Sequence, residues 1–160
     1  MSHPLEYIFH PRSIAVVGVS SSPDGWANHM FLQPLIDFQF PGPLYPINPH
    51  ADTICGLKAY KSLRDVPQPV DYVIVAVPRK VAPFVLQDCI KKQVGGVMFF
   101  TSGFAETNTD EGSVLQKTMT DMAKQGNVNL IGPNCVGIYN PAIGLRHSAE
   151  QPAGEGGSVG

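Results

Sequence analysis

The residues best suited to hold a charged ligand lie in Gly18-Val19-Ser20-Ser21-Ser22-Pro23-Asp24-Gly25, directly after the apolar run Ser13-Ile14-Ala15-Val16-Val17. A buried strand ending in glycine, followed by hydroxyls and the start of a helix, is a seat for phosphate in a parallel α/β sheet. Glycine permits the sharp turn and lets a ligand approach the backbone. The serines add donors, and the helix dipole favours negative charge. The expected chemistry is binding of a phosphorylated nucleotide across this turn. Gly18 and Gly25 lack the G-x-G-x-x-G spacing, and the chain has no G-x-x-x-x-G-K-[ST]. Taken alone, the stretch also reads as an ordinary strand-to-helix loop with a serine cap.

Other reactive side chains offer less. Cys55, Cys89 and Cys135 are an odd, widely spaced set, which fits neither a disulfide framework nor a zinc site. Cys89 falls in a helical pattern as a small core residue. Cys135 lies in a Gly-Pro-Asn-Cys turn, where either a nucleophile or a loop-shaping role is open; no histidine or carboxylate beside it identifies itself as an activating partner. His3, His10, His29, His50 and His147 are scattered without metal-ligand spacing. A net charge of −2 provides no basic surface for nucleic acid or an anionic membrane. No apolar run approaches the ~20 residues that span a bilayer, and the N-terminus lacks the regions of a signal peptide. The cytoplasm is the expected compartment.

The elements that position these residues alternate. Tyr7 to Arg12 reads as an arm ahead of the first strand. A helix is expected from about Asp24, with Trp26, Met30 and Phe31 on its apolar face and a kink or early stop at Pro34. Leu44-Tyr45-Pro46-Ile47 is a brief or edge strand leading to Asn48-Pro49-His50. Residues 56–63 read as irregular, with a turn of helix from Ser62. Asp71 to Pro78 is the clearest strand, its continuous apolar run suiting a position covered on both faces. A helix over 79–93 follows, with Pro83 in its first turn. Val81, Val85, Cys89 and Lys92 share one side of it, and Phe84, Leu86 and Ile90 widen the stripe. Val97-Met98-Phe99-Phe100 is the next strand, ending in Thr101-Ser102-Gly103. A third helix, capped by Thr109 or Asp110, turns Val114, Leu115, Thr118, Met119 and Met122 to the core, and Val128 to Gly132 is the last strand. The pattern predicts a Rossmann-like, doubly wound, mainly parallel sheet with ligand loops at the strands' C-terminal ends.

At 160 residues one domain is expected over 1–160. The tail ending Gly157-Ser158-Val159-Gly160 reads as the entrance to a further strand, cut at a domain boundary.

Four segments in order carry a family resemblance: His10 to Gly18, Tyr45-Pro46-Ile47-Asn48-Pro49, Thr101-Ser102-Gly103-Phe104-Ala105-Glu106 and Gly132-Pro133-Asn134-Cys135-Val136-Gly137. Together they resemble the N-terminal CoA-binding domain of NDP-forming acyl-CoA synthetases, a group that includes the succinyl-CoA synthetase α-subunit. The resemblance covers nearly the whole chain. It implies coenzyme A as ligand, with Gly18, Val19, Ser20, Ser21, Ser22 and Gly25 at its phosphates. Asn48, Pro49 and His50 would flank the nucleotide, Val77 and Pro78 the adenine, and Thr101, Ser102 and Gly103 the pantetheine arm. Asn134 and Cys135 would lie near the thiol end. The family often has a lysine where His50 stands, to meet the 3′-phosphate; Lys58 or Lys80 would be its substitute. The family reaction converts acyl-CoA, phosphate and NDP to acid, CoA and NTP through an acyl phosphate and a phosphohistidine. That histidine and the ATP-grasp part belong to further domains or subunits, since His147 falls too early. A domain of this kind binds CoA without turning over. Two rivals stand beside this reading: a nicotinamide-binding domain, which usually carries Asp or Glu after its second strand, and a stand-alone CoA-binding protein.

Overall fold

The computed structural model describes residues 3, 5–22, 24–147 and 151. The expected strand entrance at 157–160 lies outside them. A short helix, α1 (Glu6–Phe9), leads into β1 (Ile14–Val17), and a helical stretch follows that ends in α2 (Gln33–Asp37). Next come β2 (Leu44–Ile47), β3 (Thr53–Ile54), β4 (Leu57–Lys58), β5 (Tyr72–Val75) and α3 (Ala82–Lys92). The chain continues through β6 (Gly96–Phe99), α4 (Asp110–Gln125) and β7 (Asn129–Ile131).

Five strands form one parallel sheet in the order β2-β1-β5-β6-β7. The chain starts in the middle, steps outward to β2, then returns to the other side of β1 and proceeds away from it. The loops leaving β1 and β5 therefore diverge and open a crevice at their C-terminal ends. Edge strand β2 tolerates Pro46, as its prolines predict.

Both faces of the sheet are covered, and this is why the strand sequences run apolar without alternation. Ala15, Val17, Val73, Val75, Val97 and Phe99 face α3 and α4, against Leu86, Cys89, Met119 and Ala123. Ile14, Val16, Tyr72, Ile74 and Met98 face the opposite side, against Phe31, Leu32, Leu35, Ile8 and Leu145. Cys89 is fully buried, and burial pushes its thiol pKa up.

Several local expectations give way to the packing. Pro34 neither stops nor ends the first helix: a wide π turn at Asn28–Leu32 precedes it, and the helix runs on to Asp37. A widened turn absorbs a residue that cannot donate to the ladder. Of the 56–63 stretch read as irregular, Leu57 and Lys58 pair with Thr53 and Ile54 in a β3–β4 hairpin, while the turn of helix expected from Ser62 is present at Leu63–Asp65. The hairpin's tip is Cys55-Gly56 with φ of 49° and 77°, a primed turn whose usual Asn-Gly or Asp-Gly cue is missing. On α4, Leu115, Met119, Met122 and Ala123 make the inward stripe. Val114 is 64% exposed and Thr118 is exposed, one residue and about 100° away from it. Thr109 caps this helix, its hydroxyl accepting from Gly112 N–H at 3.2 Å.

Candidate functional site

The stripe on α3 divides in two. Ala82, Leu86 and Cys89 enter the core, whereas Val81, Phe84, Val85 and Asp88, spaced i, i+3, i+4, i+7, line a cleft of ≈ 380 Å³. Phe84 is 69% exposed at this wall instead of packing inward. The opposite wall is the sheet edge: Val17 to Ser20, Ile47 to Pro49 and Val77. Lys61 to Leu63 close the side. Across the edge lies a second cleft of ≈ 300 Å³, lined by Trp26, Ala76 to Arg79, and Phe100 to Ser102. Trp26, expected on the helix's apolar face, is 54% exposed here, its ring centroid 5.0 Å from that of Phe100 and 5.9 Å from that of Phe31. Val77 lines both clefts, so an extended ligand can cross the strand ends from one to the other.

The first loop is held by a residue that sequence reasoning passed over. Asn28, buried in the first turns of the helix, accepts from Ser20 N–H at 2.8 Å and donates to Ser20 O at 2.7 Å and Ser22 O at 3.2 Å. Ser20 N–H is thus committed internally, and Ser20 Oγ accepts from Ser22 N–H at 3.2 Å. The Gly25 Cα packs where an added Cβ would stand 2.6 Å from Ser20 Oγ. An asparagine just inside a helix after a serine-rich loop is the signal that marks such a brace. Asn28→Ala is expected to lower stability by about 2 kcal/mol, since it strands buried backbone groups. It should also make the 18–25 loop a preferred cleavage site in limited proteolysis. An unchanged digestion pattern would count against the brace.

The second loop is tied to the first. Asn48 donates from Nδ2 to Val19 O at 2.7 Å and accepts from His50 N–H at 2.7 Å, while its own N–H bonds Tyr60 O at 2.9 Å. Its amide is therefore a staple between loops, and among the described residues the carboxylate that lines the cleft, Asp88, comes from α3 and not from the end of β2.

Beyond β5, Arg79 donates to Gly103 O and to Glu111 Oε1, both at 2.8 Å. Glu106 accepts from Gly103 N–H at 2.6 Å and Phe104 N–H at 3.0 Å. Desolvation raises the Glu106 pKa, but the bonds from the Gly103, Phe104 and Glu106 N–H groups and the nearby Arg79 charge together outweigh it and hold the carboxyl below its ordinary value. Thr101 Oγ1 donates to Val77 O at 2.8 Å, and Asn134 N–H bonds Thr101 O at 3.0 Å. Arg79 is the second residue that sequence reasoning missed; a basic residue directly after the Asp71–Pro78 apolar run was its signal.

Of the predicted site residues, Gly18, Val19, Ser20, Asn48, Pro49 and Val77 line the larger cleft, and Val77, Pro78, Thr101 and Ser102 the smaller. Ser21, Ser22, Gly25, His50, Gly103, Asn134 and Cys135 line neither; the first five lie in loops that contribute lining residues, and Asn134 is joined to the lining residue Thr101 through its N–H. Among the described residues, no hydrogen bond or ion pair joins Cys135 to a histidine or carboxylate, and no cluster suits a metal ion. His147 is a core residue: its Nε2 donates to Ile138 O, its ring meets Phe31 at 5.8 Å, and burial lowers its pKa.

The fit to coenzyme A is physical. Two clefts that share Val77 offer exposed aromatic and aliphatic surface for a base in one and an arginine, hydroxyls and a tryptophan in the other. Sequence and structure comparisons point the same way. An ADP-forming acetate–CoA ligase of Methanocaldococcus jannaschii is 41% identical over 143 residues, which cover 89% of this chain and 20% of that protein. An acetyl-coenzyme A synthetase of Candidatus Korarchaeum cryptofilum superposes with a TM-score of 0.83 at 35% identity, covering 90% of this chain and 30% of the other. The chain thus spans between a fifth and a third of these relatives. A conserved hypothetical protein of Pyrococcus furiosus superposes at 0.58 with 26% identity, covering 78% of this chain and 96% of its own. The CoA binding domain profile matches residues 12–141, which hold both clefts and every loop that borders them, and the chain belongs to that family, whose ligand is coenzyme A.

Proposed function

We propose that this chain is the CoA-binding part of an NDP-forming acyl-CoA synthetase, a ligase that joins an acid to the CoA thiol at the expense of a nucleoside triphosphate. The observation that carries the reading is the pair of clefts that meet at Val77. The adenine nucleotide of CoA lies in the larger cleft against Phe84 and Val81, its diphosphate passes the Gly18–Ser20 turn, and the pantetheine arm runs past Val77 and Pro78 to Thr101 and Ser102. The chain's own groups bind and orient. Phe84 and Val81 exclude water from the base, the Ser20 hydroxyl donates to phosphate, and Arg79 keeps the Thr101–Gly103 turn in place. Asn134 and Cys135 border the thiol end. The phosphohistidine, the ATP-grasp part and the acyl site belong to further domains or subunits, in the cytoplasm, where the three free thiols remain reduced.

Isothermal titration of the intact gene product with CoA and NAD tests this. CoA is expected to bind and NAD to give no heat, because the β2 end presents Asn48, with its amide spent on Val19, where a ribose-binding carboxylate would stand. Phe84→Ala should weaken CoA by about tenfold, the ~1.4 kcal/mol scale of one aromatic stacking contact, with the melting temperature little changed because the ring is exposed. NAD binding tighter than CoA would overturn the reading. The stand-alone alternative rests on the similarly sized P. furiosus protein; detection of acyl-CoA-dependent NTP formation by the gene product separates the two.

A further inference from the structure

A nucleotide with a ribose phosphate needs a cation in the cleft, and the sequence-based candidates do not provide it. His50 is exposed and lines neither cleft; its N–H is turned to Asn48 Oδ1 at 2.7 Å. The Lys58 ammonium lies over the Tyr60 ring at 5.2 Å from its centroid. Lys80 lines neither cleft. The cation in the lining of the larger cleft is Lys61.

Its surroundings are built. The residue before it, Tyr60, is stitched to the end of β2: its N–H bonds Pro46 O at 2.9 Å, and its carbonyl accepts from Asn48 N–H at 2.9 Å. The residue after it, Ser62, donates from both N–H and Oγ to Asp65 Oδ2, at 2.9 and 3.0 Å. Lys61 thus springs from a backbone held on both sides, at the same sheet edge as the Asn-Pro turn. Among the described residues, Lys61 has no hydrogen bond or ion pair of its own. The acidic group of the cleft, Asp88, is engaged by Arg64 at 3.2 Å and leaves Lys61 uncommitted.

We propose that Lys61, supplied by the segment that follows the β3–β4 hairpin, is the residue by which this chain selects a ligand bearing a ribose phosphomonoester, the 3′-phosphate of CoA. The assignment rests on the placement of the adenine nucleotide given above. A phosphomonoester carries close to two negative charges at neutral pH, and an ammonium on a flexible stem meets it as a point charge. Selection of this kind is exposed to solvent and weakens with added salt.

The test is titration of the intact gene product and its variants with CoA and with dephospho-CoA, which differ only in that phosphate. The wild type is expected to prefer CoA by about tenfold. K61A should bring the ratio to near one through loss of CoA affinity, K61R should retain most of it, and H50A should leave it unchanged. A ratio that survives K61A, or that collapses in H50A, overturns the assignment while leaving CoA in the cleft. A wild type that binds both ligands equally does the same. Failure of the wild type to bind either ligand overturns the underlying placement instead.

Discussion

Gly18→Ala is expected to lower the melting temperature by roughly 10 °C and to weaken CoA binding at least tenfold. Gly18 has a φ of 101°, which L side chains rarely adopt, and a Cβ built on it stands 2.1 Å from Ala76 O and 3.2 Å from Val77 Cγ1. The first effect alone costs about 1–2 kcal/mol. The second is a collision with a backbone carbonyl, which no rotamer change relieves. Ala76 N–H is bonded to Val17 O at 2.9 Å, so relief requires the ends of β1 and β5 to part. A total near 3–4 kcal/mol gives the stated shift at about 2–4 °C per kcal/mol for a domain of this size. The same displacement moves Val77, which lines both clefts, so binding falls with stability. Gly56→Ala separates the two causes: its φ is 77° but nothing lies within 4 Å of the added Cβ. It should cost only about 1 kcal/mol. Equal losses in thermal melts of the two variants would show that the collision at Ala76 is relieved, and the argument for a rigid strand crossing would fail.

That crossing is also the part of the molecule most legible in the sequence. Ile14 to Val17 and Tyr72 to Val75 are continuous apolar runs because both sheet faces are covered, so strand identity and parallel pairing follow from composition alone. Legibility ends where periodicity has two explanations. An apolar residue on α3 can face a core or a ligand cleft, and the helical period is the same for both. Leu86 and Cys89 took the first role and Phe84 the second. Val114 on α4 shows the reverse error, an apolar residue one position off the inward stripe. Residues whose function is to hold backbone are harder still. Asn28, Asn48 and Arg79 act through carbonyls and N–H groups of distant segments, and those partners exist only after the sheet has formed. Lys61 was hidden for a related reason. The resemblance points to the His50 position, with Lys58 or Lys80 as substitutes, whereas the hairpin that the unusual Cys55-Gly56 turn makes possible carries the chain back to the same edge at Lys61.

Asp71→Asn is expected to destabilise the protein by about 2 kcal/mol at pH 7 and by less at pH 2.5, the scale being that of hydrogen bonds to a charged group. Asp71 stands at the start of β5, at the end of the sheet away from the clefts, with its side chain 8% exposed. It accepts from Arg12 N–H at 2.9 Å, Arg12 Nε at 2.7 Å and Arg12 NH2 at 2.9 Å, a forked contact that ties the chain entering β1 to β5. Desolvation raises the Asp71 pKa, but the bonds and charge of Arg12 prevail and hold it below its ordinary value. The folded protein therefore resists taking a proton that the unfolded chain accepts near pH 4. The pair's contribution is full above that pH and is lost as pH falls through the lower folded-state value. Asparagine keeps one acceptor but turns an amide toward the guanidinium, so the variant lacks this contribution at every pH and its acid limb is flatter. Arg12→Lys, which preserves charge but not the fork, should fall between the two at neutral pH. Urea unfolding at both pH values reads the difference. A gap between wild type and Asp71→Asn that is the same at pH 7 and pH 2.5 would mean that packing, and not the ionised pair, fastens β1 to β5.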